Sequence, residues 1–166
     1  MKAVVDPQSF LLEEGPDMPN NPGLPVLLYP QALGDEVTDK AGAFEQRFRE
    51  NGWGGTWRNG IMGHHHFHPD AHEALGIARG FVEVQLGGEA GKRFRLQAGD
   101  LVVLPAGIGH KNLSASDDLL VVGAYPRGQE DYTICRSKAE VTSMPDVPLP
   151  ESDPFYGKEG PLTRIW

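Results

Sequence analysis

The chain holds one cysteine, Cys135, in 166 residues. A single thiol cannot close an internal disulfide, so the fold has to rest on its core or on a metal. No apolar run approaches the roughly 20 residues that a membrane-spanning helix needs. The first fifteen residues, MKAVVDPQSFLLEEG, contain no proper apolar h-region, because Asp6, Pro7 and Gln8 interrupt it. No secretory leader is expected, and a cytoplasmic protein is the default expectation. Positive charge is also scarce: 15 Lys and Arg stand against 23 Asp and Glu, a formal net charge of −8. Such a surface repels phosphate backbones and anionic lipid, so neither nucleic acid nor membrane is an expected partner.

What is present suits a globular chain. Hydrophobic residues make up 39% and charged residues 23%, and the length favours one domain with a real core. The 21 glycines and 14 prolines favour turns and short strands over long helices.

Three regions differ in texture. In residues 1–52, Pro16, Pro19, Pro22, Pro25 and Pro30 block both helix and central strand. Residues 15–30 therefore read as an extended arm that packs through Leu24 and Val26 to Tyr29. Residues 35–50 carry the best helical pattern, with Val37, Ala41, Phe44 and Phe48 on one face and Asn51-Gly52 as a stop. Asp35 and Glu36 stand where the N-terminal dipole favours acid. Residues 53–126 switch to short alternating or apolar runs. Strands are predicted near 55–59, 61–68, 73–79, 81–86, 92–97, 101–104, 109–113 and 119–125, with a hairpin tip at 88–91. Many short strands at regular spacing predict an all-β sandwich or barrel. Residues 127–166 return to proline-rich sequence and are expected to belong to the same domain. Residues 132–135 suit one more edge strand. Phe155, Tyr156 and Trp166 suggest docking onto the barrel or a second subunit, and a homodimer is the expectation.

Five of six histidines fall within nine residues: His64, His65, His66, His68 and His72. If 61–68 is a strand, His64, His66 and His68 share one face. Two imidazoles two residues apart can share one metal ion. Glu73 opens the next strand after a Pro69-Asp70-Ala71 corner, which would return its carboxylate beside His68. An imidazole pair plus a carboxylate suits a divalent transition metal. A fourth ligand has to come from elsewhere, and the remaining histidine, His110, follows a proline-glycine turn into another strand. A polar surface cluster or a tag remnant would also give a histidine run, but this one is internal and flanked by strand-like sequence. Trp53 and Trp57 read as core, Arg79, Arg93 and Arg95 as solvated strand positions, and Cys135 as an inert buried thiol. Tyr125 suits either the barrel mouth or core packing.

Residues 60–80 carry G, five residues, His66-x-His68, four residues, Glu73, six residues and Gly80. This resembles the first cupin motif at every fixed position. Residues 99–112 carry Gly99, five residues, Pro105-x-Gly107, two residues and His110. This resembles the second cupin motif through the histidine, and departs from it where Asn112 follows His110 by two residues instead of four. The motifs stand about 18 residues apart. The phrases HEALGIARG, GDLVVLPAGIGHKNLSAS and LLVVGAYPRGQ further resemble the YjlB-like single-domain bacterial cupins. The resemblance implies a jelly-roll barrel, or double-stranded β-helix, carrying one flanking helix and extended arms. It implies His66, His68, Glu73 and His110 as ligands of iron, manganese, nickel or zinc. His72 takes the place of Glu73 if the corner is one residue shorter. His64, His72 and Asn112 are candidates for the groups that orient the ligands. A metal-dependent dioxygenase or isomerase acting on a small oxygenated molecule is then expected, with Glu73 able to serve as general base. The other readings are a non-catalytic module that binds a small ligand or senses metal, and a metal that serves mainly as a structural staple.

Overall fold

A computed structural model describes residues 4–166; the first three residues of the predicted leaderless start lie outside the described residues. The order of elements is β1 (Gln8–Leu12), β2 (Asn21–Tyr29), α1 (Lys40–Glu50), β3 (Trp53–Asn59), β4 (Glu73–Arg79), β5 (Phe81–Leu86), β6 (Lys92–Gln97), β7 (Leu101–Leu104), β8 (His110–Ala115), β9 (Leu120–Pro126), a 3-10 turn at Lys138–Glu140 and α2 (Pro161–Ile165). The strands form a six-stranded antiparallel sheet in the order β1-β2-β7-β4-β9-β3 and a three-stranded sheet in the order β6-β5-β8. The two sheets enclose a jelly-roll barrel, and no helix among the described residues is long and apolar enough to cross a membrane.

Both faces of the larger sheet are covered, and strict alternation decides which side each residue serves. On β4, Leu75 and Ile77 join Val82, Val84, Leu86, Val102 and Val121 in the barrel interior. Ala74 and Ala78 face the other way, into a cluster with Phe44, Phe48, Leu101, Val103 and Phe155. Glu73 falls in step with Leu75 and Ile77. The same β4 alternation that builds the core therefore aims one carboxylate inward. Pairing of Glu73 with Leu104 across β7 fixes that register.

Helix α1 starts later than its periodicity predicts. Asp39, not Asp35 or Glu36, is the N-cap, and its side chain accepts from the Gly42 amide at 3.0 Å. The buried residues Ala41, Phe44 and Phe48 are those the helical pattern picks out. Residues 15–30 depart further from expectation. Asn21–Tyr29 of this segment form a strand, and β2 lies inside the six-stranded sheet between β1 and β7. The contradiction with proline chemistry is local. β2 pairs with β7 only through Leu27, Leu28 and Tyr29, beyond Pro22 and Pro25. The Pro25 carbonyl instead accepts from the Trp166 indole at 2.9 Å.

The predicted strand at 61–68 is reduced to two isolated bridges, His66 with His110 and Phe67 with Cys135. That second bridge is also all that remains of the edge strand expected at 132–135. The C-terminal aromatics dock onto this chain's own barrel. Phe155 is buried in the outer cluster, and Tyr156 accepts from the Val5 amide at 3.1 Å.

Candidate metal centre

Three backbone features bring the histidines together. The His66 amide donates to the His110 carbonyl at 3.2 Å, and the His110 amide donates back at 2.9 Å, so the two residues lie directly across from each other. Alternation then turns His68 to the same side as His66 and sends Phe67 into a separate buried cluster with Met18 and Cys135. The turn before β8 supplies the third feature. Gly107 sits at φ +94°, where a Cβ would come within 2.5 Å of the Asn20 carbonyl oxygen, so only glycine fits. Its amide donates to the His68 carbonyl at 2.8 Å, tying the second motif's turn to the first motif's histidine.

His66, His68 and His110 are all buried, and one ring nitrogen of each lies within 4.8 Å of the others. Their Nδ1 atoms are already engaged. His66 Nδ1 lies 3.0 Å from the His64 carbonyl, His68 Nδ1 2.8 Å from the Thr133 carbonyl and His110 Nδ1 3.0 Å from the Ile108 carbonyl. A carbonyl only accepts, so each Nδ1 carries a proton, and in its neutral form each ring presents an Nε2 lone pair. His68 Nε2 then faces Glu73 Oε2 at 3.5 Å, and His110 Nε2 faces Glu73 Oε1 at 3.3 Å. Acceptor faces acceptor, and Glu73 Oε1 is buried without a hydrogen-bond donor. A cation between them, proton or metal, resolves that arrangement.

The ionisation of the site follows. Burial pushes the His66 ring down to about 3, with His110 beside it adding to the effect, so His66 stays neutral at any ordinary pH. Burial acts on His68 the same way, but the Glu73 charge and contact outweigh it and lift the ring above its usual value. Burial pushes the Glu73 carboxyl up, and His68 and His110 outweigh it and hold the group below the carboxylate range. Three imidazole nitrogens and a carboxylate with a spare oxygen form a donor set that fits a divalent transition metal.

The carboxylate is held from its other side by residues that sequence reasoning did not assign to the site. Tyr125 donates its hydroxyl to Glu73 Oε2 at 2.6 Å and accepts from the Trp57 indole at 2.8 Å. Trp57 is thus a wall of the cavity, not simply core as expected. Gly123 makes room for it, since a Cβ there would come within 2.2 Å of the indole. Tyr132 stacks on Tyr125 at 4.1 Å between centroids and stands edge-on to His68 at 4.7 Å. Around these groups lies a cavity of about 300 Å³.

The candidates for orienting groups are placed differently from expectation. His64 serves through its carbonyl, while its ring sits 5.7 Å from that of His66. Asn112 offers its backbone amide to Met62, and the Ile108 carbonyl, not Asn112, holds His110. The His72 ring turns away from the cluster. Its Nδ1 accepts from the Ala106 amide at 2.9 Å, its ring packs 4.8 Å from Trp166, and burial pushes it down to about 4. Of the two residues competing for the carboxylate's place, Glu73 is the one that meets the histidines. His65 points outward to Glu89.

The sequence profile of the cupin domain family matches residues 57–122, which span both halves of this centre. The chain is 36% identical over 164 residues to the uncharacterized protein YjlB of Bacillus subtilis (strain 168), covering 96% of each. Among solved structures, it overlaps an acireductone dioxygenase from Bacillus anthracis with cadmium ion in the active center. The TM-score is 0.40 and the identity 19%, over 60% of this chain and 76% of that one. A DUF861 family protein from Thermotoga maritima overlaps 61% of this chain and 98% of its own, at 24% identity and TM-score 0.37. The extent of the match to the Bacillus subtilis relative, with both cupin motifs in place, shows that the chain belongs to the cupin superfamily and, within it, to the YjlB-like group.

Proposed function

We propose that His66, His68, His110 and Glu73 hold one divalent transition metal and that the chain is a metal-dependent enzyme, an oxygenase or isomerase, for a small oxygenated molecule. The observation that carries this reading is the meeting of Nε2 lone pairs with a buried carboxylate oxygen that has no donor. Iron, manganese, nickel and zinc all suit the donor set. When bound, the metal supplies Lewis acidity and exchangeable coordination positions. The protein supplies the rest. The His64, Thr133 and Ile108 carbonyls fix the three tautomers. Tyr125 holds Glu73 Oε2, leaving Oε1 turned towards the histidines. Once released from the cation, Oε1 is the atom at which the carboxylate can take a proton from an occupant of the cavity. Oε1 is itself buried, and Trp57, Leu75 and Tyr132 line the cavity with it.

Elemental analysis of freshly purified protein tests the metal. About one equivalent per chain is expected, and the His66→Ala/His110→Ala double variant should lose it. A double variant that keeps full metal content would overturn the proposed ligand set. Oxygen uptake or substrate isomerisation by the loaded chain separates an enzyme from a binding module built on the same pocket.

A further inference from the structure

The cavity also restricts what can enter it. Apart from the centre itself, its walls are Trp57, Ile61, Met62, Leu75, Tyr132 and Ile134, with Asn59 as an uncharged polar residue. Apart from the histidines and tyrosines, Glu73 is the only ionisable side chain among the described lining residues, and none of them is a lysine or arginine. The basic residue next to His110, Lys111, instead reaches towards Glu89 at 4.0 Å, as does His65. An anionic group on the part of a ligand remote from the metal would therefore lie against apolar wall with no cation to meet it. Even the rim is apolar: Ile134 is 47% exposed at the mouth, where a polar residue would sit comfortably. The wall nearest the centre is aromatic, with Tyr132 stacked on Tyr125 and edge-on to His68. Aromatic surfaces of this kind stack with other rings. The volume lies at the low end for small-ligand pockets.

We infer that the site selects a small molecule with an uncharged, apolar or aromatic body, lying along Tyr132 and Ile134, with an oxygen-bearing head directed at the four-residue centre. Carboxylate- or phosphate-tailed molecules of the same size bind more weakly. The placement of the head rests on the metal reading above; the preference for an uncharged body does not.

A matched pair of probes tests this, 4-methylcatechol and 3,4-dihydroxybenzoate, which share a head and differ in a methyl or carboxylate tail. Isothermal titration against zinc-loaded protein should show the methyl compound binding at least about tenfold tighter, the equivalent of 1.4 kcal/mol. Equal affinity, or tighter binding of the carboxylate, would overturn the inference. Ile134→Arg changes an exposed rim residue, places a cation at the mouth, and should narrow or reverse the preference. If it leaves the ratio untouched, the probes do not occupy this cavity and the inference falls. The same pair is run on metal-free protein. Failure of zinc to bind removes the metal reading alone, because the tail preference is then read from the metal-free titration.

Discussion

Two of the buried carboxylates, Asp153 and Glu73, each accept a short hydrogen bond from a tyrosine hydroxyl. Asp153 is fully buried and takes Tyr29 at 2.5 Å; Glu73 takes Tyr125 at 2.6 Å. The resemblance ends with their remaining partners. Asp153 also accepts from the amides of Phe155, Tyr156 and Leu162, at 2.8, 2.9 and 3.1 Å. Donors occupy both of its oxygens, and the result ties the C-terminal segment to the outer face of the sheet. Glu73 has Tyr125 on one oxygen and ring nitrogens facing both, with Oε1 left without a donor. A saturated buried carboxylate is a structural joint, whereas an unsaturated one among lone pairs is a place for a cation.

Converting each acid to its amide breaks the comparison open. In Asp153→Asn, an NH₂ group replaces an oxygen that four donors leave no room to turn away from. A loss of roughly 3–5 kcal/mol is expected, with the melting temperature of this 166-residue chain falling by about 10 °C and metal content unchanged. Differential scanning calorimetry with metal analysis checks both. The opposite pattern is expected from Glu73→Gln. The amide oxygen can keep Tyr125 while the NH₂ donates to a histidine Nε2, so the metal-free protein should melt within a few degrees of the parent or slightly above it. Metal affinity should fall by at least roughly a hundredfold, because a charged donor is gone. If Glu73→Gln were the unstable variant and bound metal normally, Glu73 would be a joint like Asp153.

The same contrast explains what could be read in the sequence. Strands β4, β5, β6 and β7 coincide with the runs 73–79, 81–86, 92–97 and 101–104, because each is a short apolar or alternating run closed by glycine or an acidic turn. The meeting of His66, His68 and His110 was legible too, since motif spacing encodes it. β2 was not, because proline content says nothing about which few residues of a strand are laddered. Asp153 gave no signal at all: an acid in a proline-rich tail becomes a hub only through residues distant in sequence, such as Tyr29. Tyr125 was ambiguous, and Trp57 was read as core, for the same reason. The clue available was Gly123, a glycine inside the otherwise apolar run 120–126, two residues before the tyrosine on the same strand face. A gap of that kind announces that something large crosses there, but not that it is the Trp57 indole on its way to the Tyr125 hydroxyl.

The smallest expected effect tests how the tyrosine serves each acid. Tyr29→Phe removes one of four donors to Asp153, and the three amides still hold the carboxylate in place. Its cost should be limited to the lost hydrogen bond, about 1–2 kcal/mol, with no change in metal binding. Tyr125→Phe removes the only well-formed hydrogen bond to Glu73, and also strips the Trp57 indole of its acceptor. A similar stability cost is expected there, but the carboxylate also becomes free to turn, so zinc affinity should fall roughly tenfold, as when a partner that orients a ligand is lost. Competition titration with a chromogenic chelator reads that difference directly. Equal zinc affinity in the two tyrosine variants would mean that Glu73 is positioned by the histidines alone, and that Tyr125 belongs to the cavity wall rather than to the centre.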